Sequence, residues 1–346
     1  MRKTFNFTLT AMIMAFVFTM SSCNSEEMIS EKQNAALPEY TNQTLQDLEK
    51  FNQTFEASKE TVQTRSGIWR FFRKVAQLAS ADASGASKAI KNNSHLCTIG
   101  LSINRTFGTV VTASVAVIGG VKASFASKKK EESEELAPED ADALYNNSVD
   151  YLIDKMKTEN DSVYLHPGSV NSLTDSINVP SSMDYLKHIG QFHNEVLSRA
   201  LEMNNDYCHP NDNPVMDEAD DGDDSQLFSE IEDFFMDDNT KIACDESVSD
   251  VIDCCYSTGF DYNENLNQYP FDSQNVTSTY RLFFSALQSA QSTSDVITLV
   301  NGYISIIETN NDFSDQEKEQ LYCGMIVAVY SYSLWLESLM DEMLVH

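Results

Sequence analysis

The chain has 346 residues, enough for one large or two modest domains with a real core. It carries 53 acidic against 23 basic residues, a formal charge of -30 that excludes nonspecific nucleic-acid binding by the chain as a whole. The charge is unevenly laid out. Residues 65–130 hold eleven lysines and arginines against a single acid, Asp82, a balance of +10, whereas residues 131–346 stand at -37.

The N-terminus opens with Arg2 and Lys3, continues through a mostly apolar run from Phe5 to Phe18, and ends in small residues before a cysteine, Met20-Ser21-Ser22-Cys23. A spanning helix needs about 20 apolar residues, so this run is short and is expected to be a cleaved signal, residues 1–22. The tetrapeptide resembles the lipobox of bacterial lipoproteins. That resemblance implies acylation of Cys23 as the first mature residue and a membrane anchor made of acyl chains, each CH₂ contributing about 0.8 kcal/mol. The following Asn24-Ser25-Glu26-Glu27 resembles the serine-plus-acidic export signal of Bacteroidota surface lipoproteins, which implies outward display from the outer membrane, with Ser25, Glu26 and Glu27 as its readable part. Asp161-Ser162-Val163 and Asp175-Ser176-Ile177 resemble the O-glycosylation triplet of the same phylum, which makes Ser162 and Ser176 candidate modification sites.

Residues 23–64 read as a polar tether ending in a short amphipathic helix, with Leu45, Leu48, Phe51 and Phe55 at helical spacing. From 65 to 130 the pattern is a basic helical hairpin. Trp69, Phe71 and Phe72 alternate with Arg70, Arg73 and Lys74, and Asn92-Asn93 marks a break. Gly108, Thr112, Ala116, Gly120 and Ser124 then place a small residue at every fourth position. Such a stripe lets another helix approach closely. Two fates fit it: insertion into a bilayer, or burial against the acidic helices that follow. The apolar run is diluted by Thr, Ser and Gly, and a strongly anionic partner is covalently attached, so burial is the expectation.

Lys128-Lys129-Lys130 running into Glu131-Glu132-Ser133-Glu134-Glu135 is a charge-switched linker, and residues 131–346 are expected to form an acidic, wholly helical domain. Pro138 marks one helix start. Residues 157–180 read as an exposed loop. Ser181 with Asp184 marks the start of a helix reaching about Asn204, on which Met183, Leu186, Ile189, His193 and Leu197 share a face. His193 therefore points at the core or its rim and needs a hydrogen-bonding partner there; His193 and Asn194 are the candidate polar core pair. Further helices are expected at about 225–236, 246–257, 276–290 and 293–308. A last one is opened by the Ser314–Glu317 capping box and carries Leu321, Met325, Ala328, Tyr332, Leu336, Leu339 and Met343 as the central strut.

Chemistry-bearing motifs are scarce. If Cys23 is acylated, Cys97, Cys208, Cys244, Cys254, Cys255 and Cys323 remain, an even number compatible with disulfides or with buried thiols. A zinc site of Cys208, His209 and Cys254-Cys255 lacks the usual ligand spacing. Setting Gly222 as the turn glycine of a calcium loop leaves Ala219 and Phe228 where oxygen donors are required. No phosphate loop, nucleophile elbow or His-Glu-x-x-His sequence occurs, so no catalytic residue, metal ligand or cofactor is assigned.

Ala81-Asp82-Ala83-Ser84-Gly85-Ala86, the Gly190–Leu197 segment, and Glu317-Lys318 with Tyr330-Ser331-Tyr332-Ser333-Leu334-Trp335 resemble a group of uncharacterised secreted Bacteroidota proteins. The resemblance implies a helical fold and no particular chemistry. The expectation is an all-α, multi-helix bundle with a small-residue hairpin, behind a cleaved lipoprotein signal. It is lipid-anchored at the outer membrane and serves a binding or structural role toward a protein or glycan. A membrane-active hairpin is the alternative, and a hydrolase with carboxylates gathered around His193 is third.

Overall fold

The computed structural model describes residues 42–59, 66–93, 105–131, 144–146, 148–150, 172–202, 233, 235–258 and 260–345, all within one compact unit, Tyr40–His346. Among these residues the regular structure is helical throughout and no strand occurs, so the chain is an all-α multi-helix bundle.

Helix α1 spans Gln43–Ala57 and is capped by the Asn42 side chain, which accepts from the Thr44 and Leu45 amides. It is not the loose end of a tether. Leu45, Leu48 and Phe55 are buried in the common core. Asn52 is wedged between two other helices, donating to the Leu282 carbonyl at 2.9 Å and accepting from the Tyr303 hydroxyl at 2.9 Å. The apolar spacing read as a short amphipathic helix ending a spacer is a core face.

Helices α2 (Ser66–Asn92) and α3 (Arg105–Glu131) form the hairpin and run antiparallel, with Gly85 backed onto Gly119 and Ala89 beside the same glycine. Every residue from Ala79 to Ile90 and from Ser114 to Ser127 is buried. A helix enclosed on all sides belongs at the centre of a bundle, and its Ala, Ser and Gly side chains let several neighbours reach it at once. The expected division at 128–135 does not appear as a split in the fold. Hairpin residues Val75, Ala83, Ile90, Val117 and Val121 share one core with Leu186, Val248, Tyr280 and Trp335.

After the short α4 (Ser172–Asp175), the chain makes a 3₁₀ turn at Ser181–Met183 before α5 (Leu186–Glu202). The helix expected from Ser181 thus begins later. Around Pro180 the backbone closes tight three-residue bonds, Met183 N–H to the Pro180 carbonyl at 2.8 Å and Lys187 N–H to Asp184 at 3.1 Å, before the wider α-helical pattern is established.

Next come α6 (Asp238–Thr258), α7 (Tyr262–Gln268), α8 (Gln274–Leu287), α9 (Thr293–Thr309) and α10 (Asp315–Val345). Helix α6 starts earlier than its apolar pattern suggested. Helix α7 was not anticipated: Asp261 caps it by accepting from the Asn263 and Glu264 amides, directly after Phe260 at a φ of 47°. The Ser314–Glu317 box is formed as expected, the Glu317 carboxylate accepting from the Ser314 amide at 2.8 Å and the Ser314 hydroxyl from the Glu317 amide at 3.3 Å. Helix α10 lies along α2 and α5, burying Leu321, Met325, Ala328, Tyr332 and Leu339. Its stretch Asp315–Met340 is long and apolar enough to cross a membrane, but two-thirds of it is buried in the bundle, where a core helix has the same composition.

Candidate functional site

Of the residues singled out in the sequence, Cys23, Ser25, Glu26, Glu27 and Ser162 lie outside the described residues, as do Cys97, Cys208, His209 and the acidic loop around Gly222. Ser176 is exposed, one residue beyond α4. Its backbone carbonyl accepts from the Asn301 side chain at 2.7 Å, and the adjoining Ile177 is fully buried, so the triplet sits on a pinned surface turn.

His193 and Asn194 stand where α5 crosses α10. The Asn194 amide nitrogen donates to the Tyr330 carbonyl at 2.7 Å, and its Oδ1 lies 3.1 Å from His193 Nδ1. Because the amide is oriented by a backbone acceptor, its oxygen faces the imidazole. An amide oxygen only accepts, so Nδ1 carries a hydrogen. The other ring nitrogen, Nε2, faces into the bundle. There it meets Asp82 of α2, the lone acid of the basic segment, with Nε2 3.7 Å from Oδ2 and both side chains 0% exposed.

Four helices converge on this carboxyl. Helix α2 supplies Asp82. From α10, Trp335 Nε1 donates to Oδ2 at 3.2 Å and the Ser331 hydroxyl donates to the same oxygen. Helix α5 supplies the imidazole, and Ser124 of α3 stands beside the carboxyl, short of a hydrogen bond. Gly120 of α3 makes room for the ring: a Cβ there would meet His193 Cδ2 at 2.6 Å. Burial drives the Asp82 pKa above the usual carboxylate range, and His193, Ser124, Ser331 and Trp335 offset only part of that effect. Among the described residues, Asp82 Oδ1 and His193 Nε2 have no hydrogen-bond partner.

Two lysines of the hairpin are also buried. Lys88 pairs with Asp250 of α6, donates to Asn265 Oδ1 and the Tyr269 carbonyl at 3.2 Å each, and lies 5.6 Å from the centre of the Phe271 ring. Burial pushes its pKa down and the Asp250 carboxylate opposes this. Lys122 of α3 pairs with Asp245 one helical level away on α6 and lies 5.8 Å from the Tyr145 ring centre. The hairpin's two buried lysines are thus neutralised by acids of α6. Lys88, Lys122 and Asp82 were legible as isolated charges among small residues, but their ionisable partners lie 111 to 162 residues along the chain and no local pattern points to them.

What this site can do is bounded by its closure. Asp82 and His193 do not reach solvent, so a substrate meets neither in this state. Among the described residues no three His, Cys, Asp or Glu side chains gather as a metal site. Cys244, Cys254, Cys255 and Cys323 are buried thiols, and burial pushes the Cys255 thiol up to about 12, beyond reach of thiolate chemistry at neutral pH.

The fold and site define a closed helical bundle organised around a buried acid–imidazole junction. Compared with family models, with curated proteins and with solved structures, the chain finds no match.

Proposed function

We propose that the protein is an outward-facing lipoprotein of the bacterial outer membrane, anchored through acylated Cys23, whose helical body has a binding or structural role toward a protein or glycan partner. The observation that carries this reading is the N-terminal order of cationic start, short apolar run and Met20-Ser21-Ser22-Cys23. Agreement with the Asn24-Ser25-Glu26-Glu27 signal, with the exposed Ser176 of an Asp-Ser-Ile triplet, and with the resemblance to secreted Bacteroidota proteins supports it. The body contributes a negative surface and a closed core. A binding role is favoured over bilayer insertion of the hairpin, because α2 and α3 are enclosed by other helices and their two central lysines are paired with α6. It is favoured over hydrolysis, because among the described residues the carboxylate at His193 is Asp82 alone, and it is sealed.

The test is metabolic labelling with palmitate in a Bacteroidota host, followed by protease shaving of intact cells. Label in the wild-type chain, none in Cys23→Ala, and digestion of the body by external protease are expected. An unlabelled chain that retains residues 1–22 removes the assignment.

A further inference from the structure

We propose that Asp82 and His193 hold one shared proton in the folded protein, and that this proton clamps the central hairpin helix α2 to α5.

The argument is one of hydrogen bookkeeping. Asn194, itself oriented by the Tyr330 carbonyl, fixes the ring hydrogen on Nδ1. A neutral imidazole in that tautomer presents a bare lone pair at Nε2. Opposite it, at 3.7 Å, stands a carboxyl whose Oδ2 already accepts from Ser331 and Trp335. If that carboxyl is ionised and the ring neutral, a lone pair faces a negative charge in a space with no solvent, and neither group has a donor to offer the other. One added proton resolves this. On the ring it makes an imidazolium facing a carboxylate; on the carboxyl it makes an acid that donates to Nε2. Both forms are net neutral and both tie α2 to α5.

Among the described residues no other ionised group substitutes for that proton. Helix α3 offers Ser124, and α10 offers Ser331 and Trp335, none of which titrates in the working range. Helix α6 offers the Cys255 thiol, which burial keeps neutral. Lys88 and Lys122 are committed to Asp250 and Asp245.

In the unfolded chain Asp and His titrate near 3.9 and 6.5, so above about pH 6.5 the pair holds no proton there, whereas the folded chain holds one. The folded state then binds more protons than the unfolded state, and stability falls as pH rises. The unfolding equilibrium constant shifts toward the unfolded side by up to tenfold per pH unit, until the folded pair itself releases its proton. The junction is thus an alkaline-sensitive fastening of the hairpin to its cover.

The experiment compares urea unfolding of the full mature chain with that of Asp82→Asn between pH 7 and 9. An asparagine of the same shape keeps an oxygen to accept from Ser331 and Trp335, and it carries neither a charge nor a titrating proton. The wild type is expected to lose stability more steeply than the variant, by up to tenfold per pH unit in the ratio of their unfolding constants. Parallel pH profiles overturn the proposal. Nitrogen NMR of the wild-type histidine rings decides the matter even if the variant fails to fold, with His193 assigned through its contact with Gly120. At pH 8 a protonated Nδ1 with Nε2 either protonated or hydrogen-bonded supports the shared proton. An unprotonated Nδ1, or a free Nε2, overturns it.

Discussion

The hairpin seam offers a sharp test of how the bundle is built, through the substitution Gly85→Ala. A Cβ on Gly85 would meet the Gly119 carbonyl oxygen and lie 2.7 Å from Ala123 Cβ and 3.1 Å from the Gly119 carbonyl carbon. Two of these three atoms belong to backbone, and the third is a methyl with no rotamer to change. Relief therefore requires α2 and α3 to separate by several tenths of an ångström along a seam where every flanking residue is buried. Overpacking of this kind costs about 1–3 kcal/mol, and the rigid obstacle places this site near the upper end. Alanine recovers about 1 kcal/mol through its better helix propensity. The net expectation is a loss of about 2 kcal/mol, on the order of 4 °C in Tm for a domain this large. Gly302→Ala is the control. Its Cβ would meet the Phe51 ring, with Cε2 at 2.6 Å, but that side chain is only half-buried and can turn away, so the propensity gain cancels most of the cost. Urea and thermal unfolding of both variants measure the difference. If Gly85→Ala is as stable as Gly302→Ala, the glycine contact is not what sets the helix spacing.

Three further outcomes follow from the same geometry. Lys88→Ala strands the Asp250 carboxylate in a largely buried setting and should cost about 3 kcal/mol; Lys122→Ala should cost less, because the Asp245 side chain is 38% exposed and water can replace the lysine. Lys50→Ala, which removes a pair with Asp47 at the surface, should change stability by no more than about 0.5 kcal/mol, and urea titrations that reverse this order would contradict the burial argument. Ser314→Ala removes the hydroxyl that accepts from the Glu317 amide and should lower stability by about 1 kcal/mol, with faster amide exchange confined to the first turn of α10. With its thiol raised to about 12, Cys255 should be ionised in roughly one molecule in ten thousand at pH 8, so iodoacetamide should modify it only as fast as the chain unfolds; rapid labelling of its peptide in the native protein would show that α6 opens locally.

Much of the architecture was legible because helices announce themselves locally. The Ser314–Glu317 box, the apolar stripe of α10 and the small-residue periodicity of α3 are each written within a few turns of chain, and each forms the element its spacing implies. The division into tether, basic hairpin and acidic domain was read from charge and polarity, and those report where charges lie in sequence rather than which helices share a core. Leu45, Leu48 and Phe55 looked like the end of a spacer because seven polar residues stand among them, yet three apolar side chains on one face suffice to seat α1. The junction at His193 was half visible. Its histidine lay on an apolar face and Asn194 beside it, so a hydrogen-bonded pair was an expectation; the carboxyl 111 residues earlier was present only as the solitary acid in a cationic stretch. That oddity was the signal, since an acid among Ala, Ser and Gly on a buried helix has no local partner and must find one across the fold.

The three buried charges of the hairpin also explain how helices this featureless find one arrangement. Faces made of Ala, Gly and Ser are nearly interchangeable, so apolar burial alone distinguishes poorly between the hairpin's register on α5 and α6 and one slipped by a turn. Asp82, Lys88 and Lys122 are not interchangeable. A one-turn slip of about 5.4 Å would separate Asp82 from His193, and the lysines from Asp250 and Asp245, leaving six ionisable groups without these partners, with Asp82, His193, Lys88 and Lys122 buried. Removing one partner from a buried pair already costs about 3–5 kcal/mol, whereas replacing both by apolar groups is often neutral. The pairs therefore contribute little to the depth of the native state and much to its distance from slipped alternatives. This accounts for ionisable side chains at the most enclosed positions of the bundle, where leucine would add more stability but would not distinguish one register from the next.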